Sequence, residues 1–229
     1  MSTAGPDPAD LDRVALAALA FVADGMMLGL GTGRAAEAFI HRLGERVRAG
    51  LRVRAVATSV RSEALAKKVA IEVVSLAETA RLDIAFDGAD EVTPKLELTK
   101  GLGGAMLRER VVAYEADKFV VLVTPEKLVD KLGSRTPIPI EVVPFAVASA
   151  MRNLEKLGGK PKVRNKPDGF PFVTDNQNLI LDTDFGPMDD PGRIETAARK
   201  IPGIVDTGIF LDMADVVLVG EPGAVRELR

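Results

Sequence analysis

The chain has 229 residues, of which 47% are hydrophobic and 28% charged, and its formal net charge is -3. This balance is typical of a globular protein with a packed core, and it excludes a disordered chain and a basic nucleic-acid-binding surface as the main feature. Zero cysteines and one histidine exclude thiolate nucleophiles, zinc–sulfur sites and histidine metal clusters, so carboxylates and lysines must carry any proton transfer.

Helix and strand patterns alternate through the first part of the chain. Asp7-Pro8 predicts a helix start, because an aspartate cap precedes a proline at the first helical position, and Gly25 is expected to end this helix. Such alternation predicts an α/β fold with a doubly wound, mostly parallel sheet. The later predicted elements are strands 26–30, 53–57, 71–74, 82–86 and 119–123 and helices 35–43, 62–69 and 105–116.

The pattern changes after Leu132, where prolines become frequent. A β-α-β-β-α-β order is predicted here, which resembles a small α+β domain of ferredoxin-like type inserted into the larger one. A final apolar strand, 214–219, is expected to return to the large sheet. The predicted elements are helices 146–157 and 190–201 and strands 161–164, 172–182 and 205–211. The predicted domains are therefore 1–132 with 206–229, and 133–205.

The sequence also indicates where the protein works. No apolar run approaches the roughly 20 residues of a membrane helix, and the N-terminal segment lacks the basic and apolar regions of a signal peptide. We expect a cytoplasmic protein that binds no membrane.

The first candidate for chemistry is the glycine-rich turn Gly29–Arg34, which lies between a predicted strand and a helix. Backbone N–H groups in such a turn, with the helix N-terminus behind them, favour an anion such as phosphate. The turn lacks the lysine of a Walker loop, and a tight strand-to-helix connection without a ligand is the alternative. Lys127, after strand 119–123, is a second candidate partner for phosphate, although it is also consistent with a solvated loop lysine.

Three carboxylates in the five residues Asp87–Glu91 follow the predicted strand 82–86. Ligands of open α/β sheets bind beyond the carboxyl ends of the strands, which favours a functional site here. A solvated acidic turn and a magnesium site remain alternatives.

A lysine, a glycine-rich turn and a helix make up the third candidate, Lys100–Glu109. Helical spacing places Glu109 on one face with Met106 and Ala113. A carboxyl among apolar neighbours has a raised pKa, which suits a general base for C–H abstraction, whereas an exposed helix glutamate is the alternative. A separate packed apolar stripe is predicted from the spacing of Leu107, Val111 and Tyr114.

Taken together and in this order, these segments resemble type A ribose-5-phosphate isomerase. The matching stretches are GLGTG from Gly29, FDGADEV from Phe86, KGLGGAMLRERVVA from Lys100, FVTDNQNLILD from Phe172 and IPGIVDTGIFL from Ile201. The resemblance covers nearly the whole chain. It implies interconversion of ribose 5-phosphate and ribulose 5-phosphate through a cis-enediolate, without cofactor or metal, by a homodimer or homotetramer of the non-oxidative pentose phosphate pathway.

The resemblance also implies residue roles. Glu109 matches the catalytic base, and Asp87, Asp90 and Lys100 match the polar groups around the reacting sugar. The implied substrate-binding positions are Thr32, Gly33, Arg34, Ala35, Asp87, Gly88, Ala89, Asp90, Lys100, Gly101, Leu102, Gly103 and Lys127.

One departure from the family pattern is clear, because Arg34-Ala35 stands where the family usually has Ser-Thr. We hypothesise that Arg34 binds the phosphate as a bidentate donor. The alternative is an Arg34 that faces solvent, with backbone N–H groups holding the phosphate.

Two other functions compete with the isomerase. A sugar-phosphate sensor without catalysis would need a helix-turn-helix segment ahead of it, and there is no room for one before residue 10. The second is an enzyme that isomerises or deaminates another sugar phosphate. The DGADE and KGxGG motifs argue against an aminosugar, because the resemblance associates them with ribose 5-phosphate. A purely structural role would leave the glycine-rich turns and acidic strand ends without a purpose.

Overall fold

The computed structural model describes residues 7–79 and 81–229. The helices are α1 (Pro8–Ala18), α2 (Arg34–Arg48), α3 (Val60–Lys68), α4 (Met106–Tyr114), α5 (Val147–Lys156) and α6 (Pro191–Arg199). The strands are β1 (Met27–Leu30), β2 (Arg54–Ala57), β3 (Glu72–Val73), β4 (Ile84–Gly88), β5 (Glu91–Val92), β6 (Leu98–Thr99), β7 (Phe119–Val123), β8 (Ile138–Val142), β9 (Lys160–Val163), β10 (Leu179–Asp184), β11 (Ile204–Thr207), β12 (Ile209–Phe210), β13 (Val216–Glu221) and β14 (Ala224–Leu228).

The described chain divides into two compact units. One contains the residues up to Ala89 together with Arg108–Leu128 and Met213–Arg229, and the other contains Asp90–Leu107 and Val129–Asp212. None of the helices in 7–79 and 81–229 combines the length and the hydrophobicity that crossing a bilayer requires.

A seven-stranded sheet forms the centre of the first unit, in the order β14-β13-β7-β4-β1-β2-β3. All neighbours pair in parallel except β14, which pairs antiparallel with β13. Strands β1 and β7 are apolar throughout, because helices cover both faces of the sheet. The predicted mostly parallel α/β fold is confirmed, and the strand at 214–219 does return to this sheet.

Alternation along β1 shows how the two faces are covered. Leu28 and Leu30 belong to a core with Phe39 of α2, whose ring stacks on Phe86 with centroids 4.2 Å apart. Gly29 points to the opposite face, where a Cβ would lie 2.5 Å from Val112 of α4. The missing side chain of Gly29 therefore lets α4 approach the sheet.

In the second unit a four-stranded antiparallel sheet, ordered β11-β8-β10-β9, packs against α5 and α6. The chain order β8-α5-β9-β10-α6-β11 agrees with the predicted ferredoxin-like pattern. The short strands β5 and β6, which the sequence pattern did not predict, form a separate sheet with β12.

Two predicted elements were too long. The strand predicted over 172–182 is wrong for its first half, since β10 begins at Leu179 and a tight turn precedes it. The Thr174 N–H donates to the Asn178 carbonyl at 2.9 Å, and Gln177 has a φ of 64°. Polar side chains in this Asp-Asn-Gln-Asn segment favour a turn over an extended strand. Likewise α1 ends at Ala18, and a 3₁₀ turn replaces the predicted last part before Gly25.

The predicted domain boundaries, 1–132 with 206–229 and 133–205, stay a prediction. The compact units differ from them in three segments, since Asp90–Leu107, 129–132 and 206–212 all belong to the second unit. The segment Asp90–Leu107 holds β5 and β6. Their two-residue length gave no basis for predicting that β5 pairs with β6 and β6 with β12.

Candidate functional site

The glycine-rich turn and the acidic strand end meet within the first unit. Gly31 follows β1 and lies so close to the end of β4 that a Cβ on it would be 2.1 Å from Asp87 Cγ. The Thr32 N–H donates to Asp87 Oδ1 at 3.0 Å. Because parallel neighbours end at the same edge of the sheet, two motifs far apart in sequence share one location.

Hydroxyl groups from the start of α3 surround the Thr32 side chain. Thr32 Oγ1 lies 2.8 Å from both Thr58 Oγ1 and Ser59 Oγ, and Ser62 Oγ donates to the Gly31 carbonyl at 2.6 Å. Ser59 also caps α3 by accepting from the Ser62 N–H. These three hydroxyls belong to none of the motifs in the sequence, although a serine such as Ser59 at a helix start is a capping signal.

The turn leads into α2, whose N-terminus has no hydrogen bond from a capping side chain. Gly33 precedes the helix with a φ of 97°, a conformation that favours glycine. Arg34 is the first helical residue and is exposed, whereas Ala35 is buried and lies 3.8 Å from the position of a Cβ on Gly88. The α2 N-terminus carries positive potential from its unpaired N–H groups, so an anion is favoured here. That Arg34 binds phosphate stays a prediction.

Burial overturns the alternative of a solvated acidic turn over Asp87–Glu91. Asp87 is 2% exposed, and its Oδ1 also accepts from the Gly88 N–H at 2.7 Å. Ala89 next to it is half-buried. No group of three or more His, Asp or Glu side chains in the described part of the chain is arranged to hold a metal ion.

Glu91 differs from the aspartates because its carboxylate holds a loop of its own unit. It is fully buried and accepts from the N–H groups of Gly133 at 2.6 Å, Arg135 at 2.6 Å and Thr136 at 3.0 Å. Both oxygens are thereby used. Glu91 is an anchor for the chain ahead of β8, a role that the sequence pattern did not reveal.

Glu109 lies on the buried face of α4. It is only 4% exposed, and Met106 and Ala113 are buried with it as the spacing predicted. The alternative of an exposed helix glutamate is therefore wrong. So is the predicted packed stripe, because Val111 is 39% and Tyr114 80% exposed. A helix with apolar residues on several faces has no single stripe that periodicity can identify.

In the second unit Asp90 and the glycine-rich turn after Lys100 lie together. Asp90 Oδ2 accepts from the Leu102 N–H at 3.0 Å, and the Asp90 N–H donates to the Thr99 carbonyl. Lys100 is 2% exposed, its N–H donates to the Gly208 carbonyl at 2.9 Å, and its ammonium lies 5.7 Å from the Phe210 ring centroid. The buried lysine is thus held by its own backbone and by an aromatic face.

The predicted site residues fall into two groups. Thr32–Ala35, Asp87–Ala89, Glu109 and Lys127 belong to the first unit, and Asp90 with Lys100–Gly103 belongs to the second. Lys127 ends a 3₁₀ turn after β7 and is half-buried. Each group brings carboxylates next to peptide N–H groups, which is the arrangement that binds and orients a polar ligand.

Comparisons with known proteins point to one family. The family model for ribose 5-phosphate isomerase A (phosphoriboisomerase A) matches residues 54–224. The ribose-5-phosphate isomerase A of Thermomicrobium roseum is 48% identical over 219 residues, which cover 95% of this chain and 92% of that protein.

Solved structures agree with the sequence comparison. A ribose 5-phosphate isomerase A from Methanocaldococcus jannaschii superposes with a TM-score of 0.92 at 43% identity, covering 96% of this chain and 98% of that one. A D-ribose-5-phosphate isomerase in complex with phospho-erythronic acid gives a TM-score of 0.93 at 39% identity, covering 96% and 97%.

Proposed function

The chain belongs to the ribose 5-phosphate isomerase A family, and on that premise we propose that it interconverts D-ribose 5-phosphate and D-ribulose 5-phosphate. The observation that carries the proposal is the 48% identity to a ribose-5-phosphate isomerase A over 95% of this chain. The protein is an aldose–ketose isomerase, and its substrate is a sugar phosphate.

The reaction moves one proton between two neighbouring carbons of the open-chain sugar. A base removes the proton from C2 of the aldose, and the electrons form a cis-enediolate. The same proton can return to C1, and the proton of the C2 hydroxyl passes to the oxygen on C1, which gives the ketose. The solved relative that holds phospho-erythronic acid supports this path, because a carboxylate on a phosphorylated chain has the planar, anionic character of an enediolate.

Glu109 is the proposed base. Glu109 is buried, and a carboxylate withdrawn from water is suited to proton abstraction from carbon. Lys100 is the proposed cation that stabilises the charge on the enediolate oxygen. Asp87, or Asp90, is proposed to move the hydroxyl proton during ring opening.

The phosphate is proposed to bind at the turn Thr32–Ala35, where the N-terminus of α2 and the hydroxyl cluster around Thr32 Oγ1 supply donors. Arg34 and Lys127 are proposed to add positive charge. Arg34 is exposed, which fits both a guanidinium that binds the phosphate and one that faces solvent, so the kinetics of Arg34→Ala decide between the two.

We also propose that the enzyme is a cytoplasmic homodimer or homotetramer, as the family resemblance implies. Light scattering on the purified protein measures the oligomer directly, and a monomer at micromolar concentration would contradict this part of the proposal.

Turnover of ribose 5-phosphate in excess chelator, compared between wild type and Glu109→Gln, tests the function. We expect full activity with chelator and a loss of about 10²- to 10⁴-fold in kcat for the variant, the usual contribution of a general base. Glu115→Gln, an exposed glutamate just after the same helix, is the matched control and should keep wild-type activity. A wild type that binds the sugar phosphate without turning it over would instead support a sensor.

A further inference from the structure

The turn after Lys100 is held from one side by an arginine that no motif identified. Arg164 follows β9, and its Nη1 donates to the carbonyls of Gly101 and Leu102, each at 2.9 Å. Its other two nitrogens form a forked pair with Asp182 of β10, Nε to Oδ2 at 2.9 Å and Nη2 to Oδ1 at 2.5 Å. The guanidinium is fixed by Asp182, so it can in turn fix the two carbonyls.

Phe172 supports the same turn. Its ring lies 5.9 Å below the Arg164 guanidinium, and it packs so closely on Gly104 that a Cβ there would be 2.5 Å from the ring. The backbone around it is also fixed, since the Phe172 N–H donates to the Arg164 carbonyl at 2.8 Å. The Arg164 side chain is only 12% exposed, so the pair with Asp182 is shielded from water.

The direction of the carbonyls determines the direction of the N–H groups. In a trans peptide the C=O and the following N–H point in opposite directions, and the described peptides are all trans. The Gly101 carbonyl points to Arg164, so the Leu102 N–H points away, and it donates to Asp90 as this rule requires. The Leu102 carbonyl also points to Arg164, so the Gly103 N–H is directed to the same side as Asp90.

Gly103 is exposed, and its N–H donates to no acceptor among residues 7–79 and 81–229. An oriented N–H beside a carboxylate suits a polyhydroxyl ligand. A sugar hydroxyl can accept a hydrogen bond from the N–H group and donate one to the carboxylate. We propose that Arg164 is a positioning residue of the isomerase, which holds the turn so that the Gly103 N–H donates to an oxygen of the sugar phosphate. This inference rests on the proposed function.

Kinetics and ligand binding of Arg164→Ala test the inference. Losing one oriented donor to the substrate should raise KM about tenfold, and the Kd of phospho-erythronic acid by a similar factor. The value of kcat should stay within about threefold, since the interaction is made equally in the ground and transition states. Arg164→Lys should show most of the loss, because an ammonium cannot hold the fork with Asp182 and both carbonyls together.

Arg42→Ala is the matched control. Arg42 forms a forked pair of the same kind with Asp12, Nε to Oδ1 at 2.5 Å and Nη2 to Oδ2 at 2.6 Å, and its Nη1 donates to Glu45, which is not a predicted site residue. A purely structural role of Arg164 would lower the melting temperature as Arg42→Ala does and leave KM and Kd unchanged.

The outcomes separate the two proposals. An inactive wild type would overturn the proposed function and this inference with it. An active wild type with KM and Kd of Arg164→Ala within twofold of its own would overturn the inference alone. If Arg164→Ala does not fold, Arg164→Lys and Asp182→Asn decide by the same criterion.

Discussion

Glu91→Gln tests whether Glu91 has a structural role, in contrast to the catalytic roles proposed for the aspartates of the acidic segment Asp87–Glu91. The Glu91 carboxylate is fully buried and accepts three peptide N–H bonds, two on Oε1 and one on Oε2. A glutamine of the same shape can keep its oxygen on the Arg135 and Thr136 N–H groups. Its NH₂ group then faces the Gly133 N–H, so one bond is lost and two donors are opposed.

The structure sets the size of the effect. Hydrogen bonds to a charged group contribute about 1.5–3 kcal/mol, and a buried donor without an acceptor costs about 1–3 kcal/mol, so we expect a loss of about 3 kcal/mol in the free energy of unfolding. For a chain of this length that lowers the melting temperature by roughly 6–12 °C. Well below this temperature kcat/KM should stay within about threefold of wild type, because Glu91 uses both oxygens on the loop.

Thermal unfolding and steady-state kinetics on the same samples measure both quantities. Glu63→Gln is the control, at a glutamate of α3 that pairs with Lys67 and whose side chain is 43% exposed, and it should change stability by no more than about 0.5 kcal/mol. An unchanged melting temperature for Glu91→Gln would refute the anchoring role. A collapse of kcat/KM with an unchanged melting temperature would place Glu91 in the active site.

Two further variants test the phosphate turn and a surface ion pair. Arg34→Ala should raise KM for ribose 5-phosphate about tenfold with little change in kcat. Arg48→Ala, at the other end of α2, is the control and should leave KM unchanged. Equal KM values for the two variants would contradict phosphate binding by Arg34. The hydrogen bond from Arg42 lowers the pKa of Asp12 below its ordinary value of 3.8, so this pair stabilises the fold above that pH and the contribution is lost as the pH falls through the lowered pKa. The melting temperature of Arg42→Ala should therefore lie below that of wild type at pH 7, and the difference should shrink progressively below pH 3.8. A difference that persists in strong acid would contradict the linkage.

Local patterns in the sequence predicted much of the fold. Apolar runs separated by helical segments indicated the parallel sheet, and the strand at 214–219 was correctly assigned to it. The β-α-β-β-α-β order of the second unit followed from the same reasoning. These features depend on periodicity and turn residues, which are properties of a few neighbouring positions.

Periodicity and turn residues did not predict the short and irregular elements. Strands β5 and β6 have two residues each, too few for a period, and they exist because β5 pairs with β6 and β6 pairs with β12. The turn before β10 was read as a strand, because apolar residues on either side concealed the polar segment between them.

The sequence by itself determined the family and the residue types of the chemistry, since the motifs around Asp87, Lys100 and Glu109 stand in an order and spacing that few proteins share. Only the tertiary structure decided which side chains are buried and what they touch: Glu109 faces inward, Glu91 holds a loop, and Arg164 reaches carbonyls 62 and 63 residues away. Contacts of that separation depend on how strands and turns pack, and no local pattern encodes them.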